Sequence, residues 1–366
     1  MSLDVIALFK HLIERKSETP DDGGILDFVE GYLDGFTAVR LDYEGVRNLF
    51  ISRQFGEGSH LCFAGHVDVV PAGEGWETDP YTAVEKGGCI YGRGAQDMKS
   101  GVAAFVQAVK ETERFGGTLS LLLTSDEEGP AKYGTVEVLK YLEKAGMLPD
   151  ACIVAEPTCE TVFGDAVKVG RRGSINGVIE KRGKQGHAAY PEKAKNPIHK
   201  VAQVLHHMAG VNLDDGDEYF SPSQFVVTDI RAGMEVTNVT PGKLKMMFNV
   251  RNSTKTTKED VEAFVHRYFR EMDYTLTLDQ SAKPFVTNAD THIVRTIDAA
   301  IESVTGIRPK HSTAGGTSDA RFIAEYGIDV IEFGVRNDTI HAPNERTTPE
   351  QVEALCAVFK KVIATY

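Results

Sequence analysis

The sequence has no apolar run approaching the roughly 20 residues that a bilayer-spanning helix needs, which argues against a membrane protein. It also has no basic surplus. With 40 Lys and Arg against 53 Asp and Glu, the formal net charge of its 366 residues is −13. Nothing is left over to displace counterions from a phosphate backbone, so no nucleic-acid partner is expected. Cysteine is scarce and unpaired in pattern. Cys62, Cys89, Cys152, Cys159 and Cys356 form an odd set without a C-x-x-C pair, which excludes a disulfide framework and favours buried, reduced thiols. No G-x-G-x-x-G follows a strand-like run, so the dinucleotide fingerprint is absent as well. From Met1 to Lys16, apolar Leu3, Ile6, Leu8, Leu12 and Ile13 interleave with Asp4, Lys10, Glu14 and Arg15. That pattern predicts an amphipathic helix with no signal-peptide core, and a cytoplasmic location is the expectation.

What is present reads as an α/β protein. Hydrophobic residues make up 42% and charged residues 25% of the chain, ordinary for a globular fold, and the length suggests two or three domains. Strand-like runs at Leu49 to Gln54, Leu61 to Val70, Leu119 to Thr124 and Ala151 to Ala155 alternate with helical patterns. One helix follows Asp97, with Val102, Phe105, Val106 and Val109 on one apolar face, and another lies near Val136 to Lys144. Near-continuous apolar strands separated by helices predict a mixed, mainly parallel sheet covered by helices. The middle differs: strand Ser174 to Lys181, a helix from Pro197, strands Gln224 to Ile230 and Leu244 to Arg251, a helix Lys258 to Met272 and a strand Tyr274 to Asp279. That β-α-β-β-α-β order is ferredoxin-like. Helix–strand alternation then resumes with helix Thr291 to Val304, helix Ala320 to Tyr326, strand Val330 to Val335 and helix Pro349 to Ile363. The expected organisation is a first part at 1–173, an inserted α+β domain at 174–283 and a second part at 284–366.

Chemistry-bearing residues cluster at expected strand ends: His66 and Asp68, the adjacent Glu127 and Glu128, Glu156, and His341. Asp97 opens a helix. In an open parallel sheet, sites form beyond the carboxyl ends of the strands, so residues dispersed in sequence converge on one rim. The donor types are imidazole and carboxylate without thiolate, which suits zinc. Taking Asp97, Glu128, Glu156, His66 and His341 as ligands, three carboxylates facing two divalent ions leave one positive charge, which a hydroxide cancels. A single ion would leave the site negative and repel a nucleophile. The alternation His66-Val67-Asp68 lets Asp68 accept the free ring N–H of the histidine. Of Glu127 and Glu128, one can ligate and the other handle a water proton; the residues alone do not say which.

Four blocks occur in order: Gly65-His66-Val67-Asp68-Val69-Val70-Pro71, Gly92-Arg93-Gly94-Ala95 leading to Asp97-Met98-Lys99, Ser125-Asp126-Glu127-Glu128-Gly129, and Glu156-Pro157. They resemble the signature blocks of the di-zinc aminoacylase, carboxypeptidase and desuccinylase superfamily, over about Leu3 to Ile363. The resemblance implies a zinc-exopeptidase-like fold whose ferredoxin-like insert is a dimerisation domain, and hence a homodimer. It implies one zinc on His66, Asp97 and Glu156 and a second on Asp97, Glu128 and His341, cobalt or manganese being substitutes. It makes Glu127 the general base and acid, and Asp68 the group that orients His66. It also implies that His187, in Gly186-His187-Ala188-Ala189, crosses to a partner subunit and steadies the oxyanion.

A second set of blocks resembles the desuccinylase branch: Gly170-Arg171-Arg172-Gly173-Ser174, Thr237-Asn238, Asn249-Val250-Arg251, Gly315-Gly316-Thr317-Ser318-Asp319 and Asn337-Asp338-Thr339-Ile340-His341. The implied partner is an acylated amino acid, N-succinyl-LL-2,6-diaminopimelate, held by Arg171, Ser174, Asn238, Arg251, Gly316, Thr317 and Asn337. Its three carboxylates suit the guanidinium forks of Arg171 and Arg251. Gln96 departs from the family, which usually has a small residue there.

Blander readings set the limits. An Asp opening a helix is usually a cap, Arg171 and Arg172 could be surface ion pairs, and the acidic run Asp214 to Glu218 reads as a solvated loop. His206 and His207 read as ordinary helix residues. Acetylornithine deacetylase, another aminoacylase or dipeptidase, and a non-catalytic ligand-binding relative stand as the alternatives.

Overall fold

The structure, a computed structural model, describes residues 3–366. These divide into two compact units. The larger takes the chain up to Gly170 together with Thr287–Ser312 and Ser318–Tyr366, and the smaller takes Arg171–Val286 and Thr313–Thr317. That last short segment, joined to the smaller unit from far along the chain, has no counterpart in the sequence pattern.

The larger unit is built on an eight-stranded sheet. Its spatial order is Thr37–Arg40, Asn48–Gln54, Thr118–Thr124, His60–His66, Ala151–Val154, Asp329–Glu332, Ala166–Lys168 and Lys310–Ser312. The four central strands, from Thr118–Thr124 to Asp329–Glu332, run parallel to one another. The strand Asn48–Gln54 joins them antiparallel. The sheet is therefore mixed with a parallel centre, as the apolar runs predict. The short outer strands are missed from the sequence because a few residues carry no measurable period.

Helices Val5–Ile13, Lys99–Lys110, His292–Thr305 and Pro349–Thr365 pack on one another beside this sheet. The expected beginning of the first helix at Met1 falls outside the described residues. Helix Lys99–Lys110 departs from its one-faced pattern, since every residue from Lys99 to Val109 is buried. Its second face is made of Gly101, Ala103, Ala104 and Ala108, small enough for neighbouring elements to close over it. At Gly101 the approach is extreme, because an added Cβ would sit 2.3 Å from the Ala155 carbonyl oxygen. The core beneath is aromatic: Phe63 stacks on Phe105 at 6.0 Å and meets Phe359 edge-on at 5.1 Å. Truncating one such ring to alanine costs about 3–5 kcal/mol.

The smaller unit is a four-stranded antiparallel sheet ordered Phe225–Ala232, Lys243–Val250, Ser174–Arg182, Tyr274–Ala282. Helices Pro197–Leu205 and Lys258–Phe269 complete the ferredoxin-like order. Strand period two gives it an inner face: Leu244, Met246, Phe248 and Val250 are buried while Lys243, Lys245 and Met247 are exposed. The buried set packs with Ile175, Ile179, Val201, Val261, Val265 and Phe269. Thr257 and Asp260 form a capping box that starts the second helix.

The acidic run at 214–218 is not simply solvated. Asp214 accepts hydrogen bonds from the backbone N–H of Gly216 at 2.8 Å and of Ser223 at 3.1 Å, and from the hydroxyls of Ser253 at 2.8 Å and Thr256 at 2.6 Å. Asp214 thus anchors the loop. Among the described residues no helix is long and apolar enough to cross a membrane.

Candidate metal centre

The parallel strands deliver the site. His66 is the last residue of strand His60–His66, Glu127 and Glu128 follow strand Thr118–Thr124, and Glu156 follows strand Ala151–Val154. His341 lies in the loop beyond strand Asp329–Glu332, at φ 57°. A histidine in the left-handed region is uncommon and is held there only by its surroundings. Asp97 stands just before helix Lys99–Lys110.

The side chains converge around Asp97, whose two carboxylate oxygens point at different imidazoles. His66 Nε2 lies 3.1 Å from Asp97 Oδ1, and His341 Nε2 lies 3.3 Å from Asp97 Oδ2. Glu156 Oε1 is 3.7 Å from His66 Nε2, and Glu128 Oε1 is 2.9 Å from His341 Nε2. Donor atoms of His66, Asp97 and Glu128 lie within 4.8 Å of one another, as do those of His66, Glu127 and Glu156. The two groups share the His66 imidazole, and the Asp97 carboxylate stands between the two histidines.

Its electrostatics call for cations. Burial pulls the His66 ring down, but the hydrogen bond with Asp97 and the charges of Glu156, Glu127 and Asp68 outweigh it and hold the ring well above its usual 6.5. Hydrogen bonds to Asp97 and Glu128 raise His341 to about 10. Burial and neighbouring carboxylates push Glu127 and Glu156 well above the carboxylate range. Without a metal, protons on the imidazoles balance the carboxylates. Divalent ions would take over that role, and the donor set of imidazole and carboxylate fits zinc-type binding.

Asp68 behaves differently from the expectation. The His66 Nδ1 bond goes to the Asp68 backbone carbonyl at 2.8 Å, whereas the Asp68 carboxylate stands 3.7 Å from the ring. That carboxylate accepts the backbone N–H of Glu128 at 3.1 Å and of Glu127 at 3.4 Å. The strand ends at His66, so the alternation that would have aimed both side chains together does not continue to Asp68. Asp68 still fixes the ring through its carbonyl, and it also steadies the Glu127–Glu128 turn.

With this geometry in place, the comparisons with known proteins are decisive. The profile of Peptidase family M20/M25/M40 matches residues 62–365. The chain belongs to this family. A protein named succinyl-diaminopimelate desuccinylase from a Nitratiruptor species is 70% identical over 364 residues, spanning 100% of both chains. One of the same name from a Sulfurovum species is 71% identical over 99% of this chain and 98% of its own. Among solved structures, an M20 family metallo-carboxypeptidase from Sulfolobus solfataricus aligns with a TM-score of 0.77 over 100% of this chain and 99% of its own. At 15% identity that likeness concerns the fold.

Two further residues of this M20/M25/M40 family chain were not singled out from the sequence. Glu345 is fully buried, and its carboxylate accepts the backbone N–H groups of Gly94 at 2.9 Å, Gln96 at 2.7 Å and Asp97 at 3.0 Å. The same carboxylate pairs with buried Arg93 at 2.7 Å. It clamps the loop that presents Asp97 from a position four residues beyond His341, tying together the loops that carry these two residues. Its place in His341-Ala342-Pro343-Asn344-Glu345 was the available signal. Gln96 reinforces the tie, donating to Asp338 at 2.8 Å and accepting from Thr339 N–H at 2.8 Å. The other addition is Asp319, which is buried, holds the Thr135 hydroxyl at 2.6 Å and contributes charge near Glu127.

In the smaller unit, the Arg171 guanidinium donates to the Ala314 carbonyl at 3.1 Å, which places it against the loop carrying Gly316 and Thr317. At Gly315, φ 104°, an added Cβ would fall 2.6 Å from that guanidinium. Ser174 accepts from Asn249 at 3.0 Å. His187 is exposed and pairs with Val239, next to Asn238, in a short two-stranded ladder. Arg172 is structural, bonding the carbonyl of Arg251 at 2.8 Å and the Ser221 hydroxyl at 2.6 Å. Asn337 lies in the larger unit, where its backbone N–H donates to the Cys159 carbonyl at 3.1 Å.

Two outcomes are expected. Metal binding to the metal-free protein at neutral pH should release protons, because His66 and His341 are held above 6.5 and must lose theirs; affinity should then climb as pH rises. Calorimetry in buffers of different ionisation enthalpy reads this directly, and binding without proton release would contradict it. Glu345→Gln should weaken metal binding about 10–100-fold, as loss of a supporting contact typically does, measured by competition with a chelator.

Proposed function

We propose that the chain hydrolyses the amide bond of N-succinyl-LL-2,6-diaminopimelate, releasing succinate and LL-2,6-diaminopimelate for lysine and diaminopimelate biosynthesis. The observation that carries this reading is full-length identity of about 70% to relatives bearing that activity in their names, in a chain that brings His66, Asp97, Glu127, Glu128 and Glu156 together with His341 beside Asp97 and Glu128.

In this reading His66, Asp97 and Glu156 hold one divalent ion, and Asp97, Glu128 and His341 hold the other, with zinc as the ion. Bound there, the ions would polarise the amide carbonyl and make water a competent nucleophile near neutral pH. Glu127 takes a proton from the attacking water and passes it to the leaving nitrogen. Its burial among like charges, which raises its proton affinity, suits both halves of that exchange. Asp68 holds the ring of His66 and the backbone of Glu127 and Glu128. Arg171 and Arg251 bind substrate carboxylates, while Ser174, Asn238, Gly316, Thr317 and Asn337 add uncharged contacts. The smaller unit serves as dimerisation domain of a homodimer, and His187 of the partner subunit contributes to oxyanion stabilisation. Five free thiols suit a cytoplasmic setting.

Assay of the purified protein against N-succinyl-LL-2,6-diaminopimelate and N-acetylornithine tests the substrate. Preference for the succinyl compound, lost on chelation, is expected; preference for acetylornithine would overturn the assignment of Arg171 and Arg251. Glu127→Ala should lower turnover by a factor of about 100 or more with metal content retained, and near-normal turnover would remove Glu127 from the mechanism.

A further inference from the structure

The smaller unit contains a cavity of about 790 Å³ whose wall is strongly basic. Lys181, Arg182, Lys184, Lys195 and Lys200 line it, against two acids, Glu271 and Asp273. None of the metal-cluster residues takes part. In a chain of net charge −13, such a concentration of positive charge in a concave surface is a local construction rather than a compositional accident.

Among the described residues, none of these five cations has a carboxylate within ion-pair distance. Of the two acids, Glu271 is turned toward Arg270 at 4.0 Å. Lys181 is the most telling. Only 8% of it is exposed, and its ammonium bonds the carbonyl of the adjacent Arg182 with no counter-charge. Burying a cation in that way is unfavourable unless something balances it.

The backbone adds to the repulsion. Lys184 and Lys195 sit directly opposite in an antiparallel bridge, with N–H to carbonyl distances of 2.8 and 2.9 Å in the two directions. Like charges facing across a bridge destabilise it. Helix Pro197–Leu205 begins at the same wall with no acidic residue in its first turn, and Lys200 stands near its positive end. The helix dipole disfavours a cation there. A buried lysine without a counter-ion, a lysine–lysine bridge and a lysine near a helix start are three separate local conflicts at one cavity, the kind of departure that marks functional sites.

One anion would relieve all three, and we infer that this cavity binds a small molecule carrying two or more phosphate groups. The volume falls in the range of small-ligand sites. Four of the five cations are lysines, which act on phosphate as point charges, and the helix start offers a favourable field for negative charge. The overall acidity of the chain opposes an extended polyanion such as nucleic acid. Sugar bisphosphates and nucleotides share the required chemistry.

The test is calorimetric titration of the full-length, metal-loaded protein with fructose 1,6-bisphosphate and with adenosine 3′,5′-bisphosphate, with inorganic phosphate for comparison. At least one bisphosphate should bind at one molecule per chain, more weakly as salt is raised, and the preferred probe identifies the source. The exposed pair of changes Lys184→Glu and Lys200→Glu should reduce that affinity at least about tenfold, with metal content and amide hydrolysis retained. Three results would each overturn the assignment: no binding of either probe at millimolar concentration, affinity no better than for inorganic phosphate, or binding indifferent to the charge reversal. None of them bears on the proposed hydrolysis, which is read separately.

Discussion

The arrangement of the candidate metal centre depends on one carboxylate, that of Asp97, presenting its two oxygens to two different histidines. That orientation cannot come from Asp97 alone, because a free aspartate rotates. It comes from the loop before helix Lys99–Lys110, whose amides at Gly94, Gln96 and Asp97 all point into the buried carboxylate of Glu345. Arg93 neutralises that carboxylate from the other side. A buried ion pair is costly to assemble and very costly to break, so it adds little net stability yet leaves the loop few alternative conformations. Here it makes the positions of Asp97 and His341 interdependent, since Glu345 lies just beyond the histidine.

Around that fixed point the sheet does the rest. Parallel strands end at one rim, so each strand contributes a side chain at the same level without any of them being near in sequence. The apolar strands and the enclosed helix Lys99–Lys110 keep this rim rigid, with Gly101 letting the helix approach Ala155, next to Glu156. The concentration of carboxylates then raises proton affinity across the site. His341 and His66 hold protons that a cation would displace, and burial among like charges raises the proton affinity of Glu127.

The smaller unit follows a different logic. Its sheet has one buried and one open face, and its polar residues serve loops, a basic cavity and the Arg171 contact with the segment Thr313–Thr317. Asp214 shows how charge there is used structurally: a residue that looks solvated in sequence gathers four hydrogen bonds and anchors a loop.

Much of this was legible in the sequence. Period and run length revealed the parallel strands and the β-α-β-β-α-β insert, because alternation and apolar continuity are direct consequences of which faces are buried. The spacing of His66, Asp97, Glu127, Glu128, Glu156 and His341 at expected strand ends revealed the cluster for the same reason. What only the tertiary structure decided depends on contacts between segments far apart in the chain. The bond of His66 to the Asp68 carbonyl instead of its carboxylate turns on where a strand stops. The clamp of Glu345 on the Asp97 loop spans some 250 residues, with separations of 248 to 251 between the bonded groups. The meeting of five cations at one cavity depends on how a strand end, a bridged pair of loop segments and one helix start come together. Local sequence carries the burial pattern of each element, whereas the partner of a buried charge is chosen by the fold as a whole.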